Sequence, residues 1–165
     1  MKRTMVVSII TAALLLASCV LPGSRLGPGD KIGGMELTTE FDLNINYLCT
    51  FEDLGAGTCQ IPSSITALGV STGWAEDTAQ ALDEAWRDSR WTMTIDGHKV
   101  DLEPFGTFDL DWGDQKARVW DVGLSGLALG EHVVRYDFYL EHAIERGNHA
   151  TIYQFTVVPA PTSSP

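Results

Sequence analysis

The stretch Trp91-Thr92-Met93-Thr94-Ile95-Asp96-Gly97-His98-Lys99-Val100-Asp101-Leu102 decides the fold. Trp91, Met93 and Ile95 alternate with two threonines, the period of a half-buried strand. Asp96-Gly97 supplies the two central residues of a tight turn, where both positions want positive φ. Val100 and Leu102 continue on the return strand, so the stretch predicts an antiparallel hairpin. Toward the C-terminus the same alphabet repeats. A strand is expected at Phe105–Leu110, a turn at Asp111-Trp112-Gly113-Asp114, and strands at Val119–Leu124, Val134–Leu140 and Ile152–Val158. In the third of these, Val134, Tyr136, Phe138 and Leu140 alternate without a break.

Toward the N-terminus, residues 74–88 break the pattern. Ala75, Ala79, Leu82 and Trp86 fall on one helical stripe, with Glu76 and Asp77 early and Arg87 late, an order that suits the helix dipole. One short amphipathic helix is expected there. Cys59–Val70 is a weaker strand candidate, interrupted by Pro62. From Met35 to Tyr47 the apolar residues Met35, Leu37, Phe41, Leu43, Ile45 and Tyr47 hold the odd positions, predicting one long strand. Hairpin connections are short where parallel crossovers are long, so closure into two antiparallel layers is the expected outcome.

Leu127-Ala128-Leu129-Gly130-Glu131-His132-Val133-Val134-Arg135-Tyr136, followed by Phe155-Thr156-Val157-Val158, resembles the late strands of immunoglobulin-like and fibronectin type III-like domains. The resemblance covers about thirty residues. It departs from the family at Ala128-Leu129, where proline is common, and carries no Cys-Trp-Cys core signature. It implies a mainly β, antiparallel immunoglobulin-like β-sandwich of about seven to eight strands with one short inserted α-helix, over residues 35–158. It implies no activity.

Lys2 and Arg3 precede an apolar run from Met5 to Ala17, the layout of a secretory signal peptide. The run is shorter than the roughly 20 residues of a membrane-spanning helix. It ends in Leu16-Ala17-Ser18-Cys19, which resembles the bacterial lipobox: Leu, two small residues, then Cys. The resemblance implies cleavage before Cys19, a diacylglycerol thioether on its sulfur, and acylation such as palmitate on its new amine. Residues 1–18 are thus read as a lipoprotein signal peptide. Residues 19–34, rich in Gly and Pro, are read as a flexible tether, and 159–165 as a disordered tail. The expected location is extracytoplasmic, on a bacterial cell membrane.

The formal charge of −11 becomes two units more negative when Lys2 and Arg3 leave with the leader. Such a surface repels nucleic acid and anionic headgroups, so no nucleic-acid partner is expected and attachment falls to the lipid. With Cys19 acylated, Cys49 and Cys59 are left to pair in a disulfide-permissive compartment. Closing so short a loop contributes about 3 kcal/mol in the chain-entropy account.

No nucleophile elbow, phosphate loop, dinucleotide fingerprint or zinc-protease helix is present in the sequence. Catalytic residues, metals and cofactors are therefore not expected. His98 follows a turn, and His132 opens a strand where a structural role is expected. His142, Glu145 and His149 match no metal-ligand spacing. Asp109, Asp111 and Asp114 gather around Trp112. Calcium favours clustered carboxylates and an exposed indole stacks on sugars, so these four form the candidate ligand spot. Trp86, Trp91 and Trp120 sit in periodic apolar settings and read as core; Trp74 and Trp112 border turns. The expectation is a non-catalytic binding or structural role at the cell surface, with a protein or glycan partner. The alternative is a carbohydrate- or solute-binding accessory module of an envelope complex.

Overall fold

In the computed structural model, which describes residues 24–49 and 59–161, the chain is mainly β with two short α-helices. In chain order the elements are β1 (Lys31–Ile32), β2 (Met35–Thr38), β3 (Leu43–Asn44), α1 (Ile45–Leu48), β4 (Cys59–Pro62), β5 (Ala67–Glu76) and α2 (Ala79–Trp86). Then come β6 (Arg90–Ile95), β7 (His98–Val100), a 3₁₀ turn at Glu103–Phe105, β8 (Thr107–Trp112), β9 (Gln115–Ser125), β10 (Gly130–Leu140) and β11 (Gly147–Val158). One sheet has the order β1-β2-β9-β5-β3, with β8 also paired to β9; the other has the order β4-β11-β10-β6-β7.

The quoted hairpin forms as its residues dictate. Asp96 (φ 49°) and Gly97 (φ 81°) take the two left-handed positions, and Ile95 faces His98 across the turn. Met93 and Ile95 face inward, beside Tyr136 and Val134 of β10. Val70, Val122 and Leu124 of the first sheet meet Met93, Val134, Tyr136 and Phe155 of the second in one apolar core. Three hydrogen bonds stitch the layers. Tyr136 OH donates to the Val70 carbonyl (2.9 Å), Tyr153 OH donates to that of Ser71, and the hydroxyls of Thr72 and Thr151 share a bond (2.8 Å). Burial pushes the Tyr153 phenol up to about 12 and the Tyr136 phenol well above its ordinary range.

The pairing is mixed where antiparallel pairing throughout was expected. β3 runs parallel to β5, and β4 parallel to β11. The first of these arises because residues 35–47, read as one long strand, divide into β2, β3 and the start of α1. β2 pairs with β9 on one side of the sheet, and β3 pairs with β5 on the other. Between them the chain crosses the outer face over Gly69 and Gly123, which are directly opposed. A Cβ on Gly123 would stand 2.7 Å from Thr38 Cγ2 and 2.8 Å from the Glu40 carbonyl; one on Gly69 would strike the Phe41 ring. Past β3 the chain coils into α1, with the Asn44 side chain accepting from Asn46 N–H (3.0 Å).

The predicted helix at 74–88 is shorter at both ends. Thr78 caps α2 by accepting from Ala81 N–H (3.1 Å), and Trp74 to Glu76 belong to β5. Glu76 is buried there and accepts from Trp74 Nε1 (2.8 Å). α2 presents Leu82 and Ala85 to the interior. Order also begins earlier than Met35. Leu26 is buried, its N–H donates to the Lys99 carbonyl (2.9 Å) and its carbonyl accepts from Asp101 N–H (2.7 Å), extending the β7 edge. The segment read as a tether at 19–34 is thus docked from Leu26 onward. In the predicted tail, Ala160 N–H donates to Ser63 Oγ (3.1 Å). The leader at 1–18, Cys19 and residues 162–165 lie outside the described residues. Among the described residues no helix is long and apolar enough to cross a membrane.

Candidate functional site

The predicted ligand spot lies on the β8–β9 hairpin. Gly113 (φ 62°) opens a two-residue turn, which sets Trp112 opposite Gln115, Asp111 opposite Lys116 and Asp109 opposite Arg118. Asp109 accepts twice from Arg118 (2.6 and 2.7 Å), Asp111 accepts from Lys116, and Arg118 also reaches Asp83 of α2 (2.9 Å). Hydrogen bonding to Arg118, together with its charge, holds the Asp109 carboxyl below its ordinary value against the opposing effect of desolvation. Alternation along β8 turns Trp112 to the opposite face, with Phe108 and Leu110. Asp114 sits exposed in the turn. Trp112, Asp109, Asp111 and Asp114 therefore do not converge, and two of the three carboxylates are held in cross-strand ion pairs. Among the described residues no three His, Cys, Asp or Glu side chains gather as a metal would need.

A better-formed concavity lies where Trp86, Trp91 and Trp120 meet. Their periodic settings predicted three core residues, but each is half-buried. They wall a cleft of about 540 Å³ whose lining also includes Met93, Val100 and Leu102. Such a volume suits a small ligand. Trp86 is delivered by the last residue of α2, Trp91 by the second residue of β6, and Trp120 by the middle of β9. The Trp86 and Trp91 rings stack at 4.8 Å and 25°, and Trp86 lies 6.3 Å from Trp120. Trp91 in turn stacks on Phe138 at 4.1 Å, and Arg118 lies 5.7 Å over Trp86. Trp91 Nε1 donates to Ser89 Oγ (2.9 Å), whereas the buried Trp120 Nε1 has no partner among the described residues. The rim is charged on both signs, with Arg25 and Lys99 against Asp101, Glu103 and Asp137. Sequence periodicity marked the three indoles as apolar; Leu102 and Glu103, just past β7, line the cleft beside them.

Most of the remaining candidates have partners within the fold. His132 is buried, with Nδ1 2.8 Å from Asp96 Oδ2 and Nε2 2.8 Å from the Ala128 carbonyl. Asp96 Oδ1 also accepts from Val133 N–H (2.9 Å), so the turn residue ties its own hairpin to β10. His142 lies 3.2 Å from Asp88, while His149 bonds the Glu145 carbonyl (2.7 Å) and stacks on Phe138. His98 is exposed. Cys49 and Cys59, both buried, form a disulfide with Cα atoms 5.6 Å apart. One group escaped sequence reading. Asp121 lies beside Ser71 and Asn44, accepting from both, and burial raises its carboxyl to about 6 against the lowering effect of the Ser71 hydroxyl. The available signal was a lone Asp within the apolar run Val119–Leu124. It links β3, β5 and β9 and lines no cleft described above.

No family model matches the chain, and no curated protein matches it. Among solved structures it is similar to the cysteine protease inhibitor EhICP2 from Entamoeba histolytica. The identity is 9%, the match covers 60% of this chain and 83% of that one, and the TM-score is 0.33.

Proposed function

We propose that the chain is a non-catalytic binding module, an immunoglobulin-like β-sandwich held outside the cytoplasm by lipid on Cys19, which takes a small ligand in the tryptophan cleft. The cleft carries the reading. Three half-buried indoles and an apolar floor line it, and a rim of carboxylates, threonines and cations offers hydrogen bonds. That combination suits a solute with one apolar face and a polar edge, a description that includes the pyranose ring. The Cys49–Cys59 disulfide fits a compartment that permits such bonds. The leader, the Leu16-Ala17-Ser18-Cys19 string and the acidic surface support attachment by lipid rather than by charge. The aromatic lining with a hydrogen-bonding rim supports the accessory-module reading, in which the solute is a glycan of the envelope.

Two experiments test this. Titration of the mature domain with mono- and oligosaccharides and with aromatic solutes, followed by tryptophan fluorescence, should give a saturable change for at least one class. Trp91→Ala should abolish that change and Trp112→Ala should keep it. A response to no member of either class, or one that follows Trp112, refutes the cleft as the site. Independently, Cys19→Ser should move the protein from the detergent phase to the aqueous phase; retention in detergent refutes the anchor.

A further inference from the structure

β8 is a sheet edge. It pairs with β9 on one side, and among the described residues no strand pairs with it on the other. All six of its residues are exposed. Phe108, Leu110 and Trp112 are 47%, 36% and 59% exposed, and they share one face by alternation. Edges of this kind are usually blunted by charged side chains, lysine above all, or by proline or a bulge, because they template further pairing. β8 has no lysine, proline or bulge; its charges are Asp109 and Asp111, on the opposite face, which would repel an acidic strand and admit a basic one. Its backbone is also poised. The tight turn closes on Trp112 and Gln115, and an antiparallel ladder alternates bonded and non-bonded pairs. Phe108, Leu110 and Trp112 therefore bond to β9, and the N–H and C=O groups of Asp109 and Asp111 point to the free edge.

Charge selects the occupant. Two copies pairing through β8 about a two-fold axis, with faces matched, would set Asp109 against Asp111 or against itself, and like charges directly opposed disfavour pairing. The chain's formal charge of −11 adds to that repulsion. Asp83, Asp109 and Asp111 are 57–71% exposed at their side chains, and the three carboxylates are served by two cations, Lys116 and Arg118. A strand with Lys or Arg at alternate positions would lay those cations beside Asp109 and Asp111 and its apolar residues beside Phe108, Leu110 and Trp112. We infer that β8 is a strand-addition site for an extended protein segment that alternates apolar and basic residues. This reading is independent of the tryptophan cleft and of the lipid.

The test uses the mature chain and a synthetic peptide of four Lys-Val repeats, compared with four Glu-Val repeats and with a block peptide of the same Lys and Val content. The alternating Lys peptide should bind roughly tenfold tighter than the block peptide, and the Glu peptide should not bind. On saturation, hydrogen exchange at the amides of Asp109 and Asp111 should slow by roughly tenfold. Asp111→Pro removes an N–H directed away from β9 and should weaken binding by about tenfold. The pair Asp109→Asn and Asp111→Asn, which leaves the strand backbone intact, should lose the preference for Lys over Glu. Equal binding of the two Lys peptides, unaltered exchange at both amides, or a Lys preference that survives the double Asn change overturns the inference. So does a dimer in sedimentation that Phe108→Lys dissolves, since the occupant would then be a second copy.

Discussion

Replacing Asp121 by Asn should stabilise the protein at neutral pH, and the gain should vanish on acidification. Burial raises the Asp121 carboxyl from 3.8 to about 6. The folded state thus holds this proton more tightly than the unfolded chain does. Below the unfolded value both states are protonated and nothing is lost. As pH rises through that value toward the folded one, the unfolded chain ionises first, and folding increasingly has to desolvate a charge. Stability therefore falls between about pH 4 and pH 6. At 1.36 kcal/mol per unit, a shift of that size corresponds to a ceiling of about 3 kcal/mol. Asp121 is part-exposed, so solvent screening brings the expected effect to about 1–2 kcal/mol. Asn keeps an oxygen to accept from Ser71 Oγ and Asn44 Nδ2 and carries no charge. Asp109, Asp137 and Glu141 have lowered values, so their contributions run the opposite way and are lost as pH falls through the ordinary carboxylate range. Urea unfolding at pH 7.5 and pH 4.5 of both proteins gives the double difference, in which groups common to both cancel. Asp121→Asn should be more stable at pH 7.5, and its advantage should shrink to about a third at pH 4.5, which still lies above the unfolded carboxyl's 3.8. A variant less stable at pH 7.5, or a difference independent of pH, refutes burial of the charge as the cause.

Gly69→Ala should destabilise by about 1–3 kcal/mol in urea unfolding, because its Cβ meets the Phe41 ring where the chain crosses the sheet, and Phe41→Leu should recover part of the loss. Tyr136→Phe should lower stability by about 1–2 kcal/mol, since it leaves the buried Val70 carbonyl without its donor. Cys49→Ser with Cys59→Ser should lower the thermal midpoint by an amount equivalent to about 2–4 kcal/mol, a loss that reductant reproduces in the parent protein.

The hairpin at 91–100 and the strands at 134–140 and 152–158 were legible because period two and turn chemistry agreed there. Alternation was misleading at 35–47. Met35, Leu37 and Ile45 are all at most 1% exposed, yet they lie in β2 and α1, on either side of a crossing of the sheet. Odd-position burial records which side chains reach one core and is silent on whether the backbone between them runs straight. The opposed pair Gly69 and Gly123 marks the crossing, but only the β5–β9 register reveals that the two are neighbours. The two-residue β3 carries no periodic signal, so its parallel pairing was out of reach as well.

The acidic hairpin shows what a register can add to composition. Read by proximity in sequence, Asp109, Asp111 and Asp114 around Trp112 suggest a cation or a sugar. Once a two-residue turn is set at Gly113-Asp114, each residue of β8 acquires a defined partner on β9, and the two strand aspartates face Arg118 and Lys116. The two strand carboxylates are then members of a cross-strand ion-pair ladder, and with Asp83 sharing Arg118 the cluster keeps one carboxylate in excess of its cations. The same register turns the aromatic to the other face, beside Phe108 and Leu110. What proximity joined into one spot, strand geometry divides into an ion-paired face and an apolar one. That division makes the free edge of β8 selective: its apolar face attracts another strand, and its acidic face determines which strand can approach.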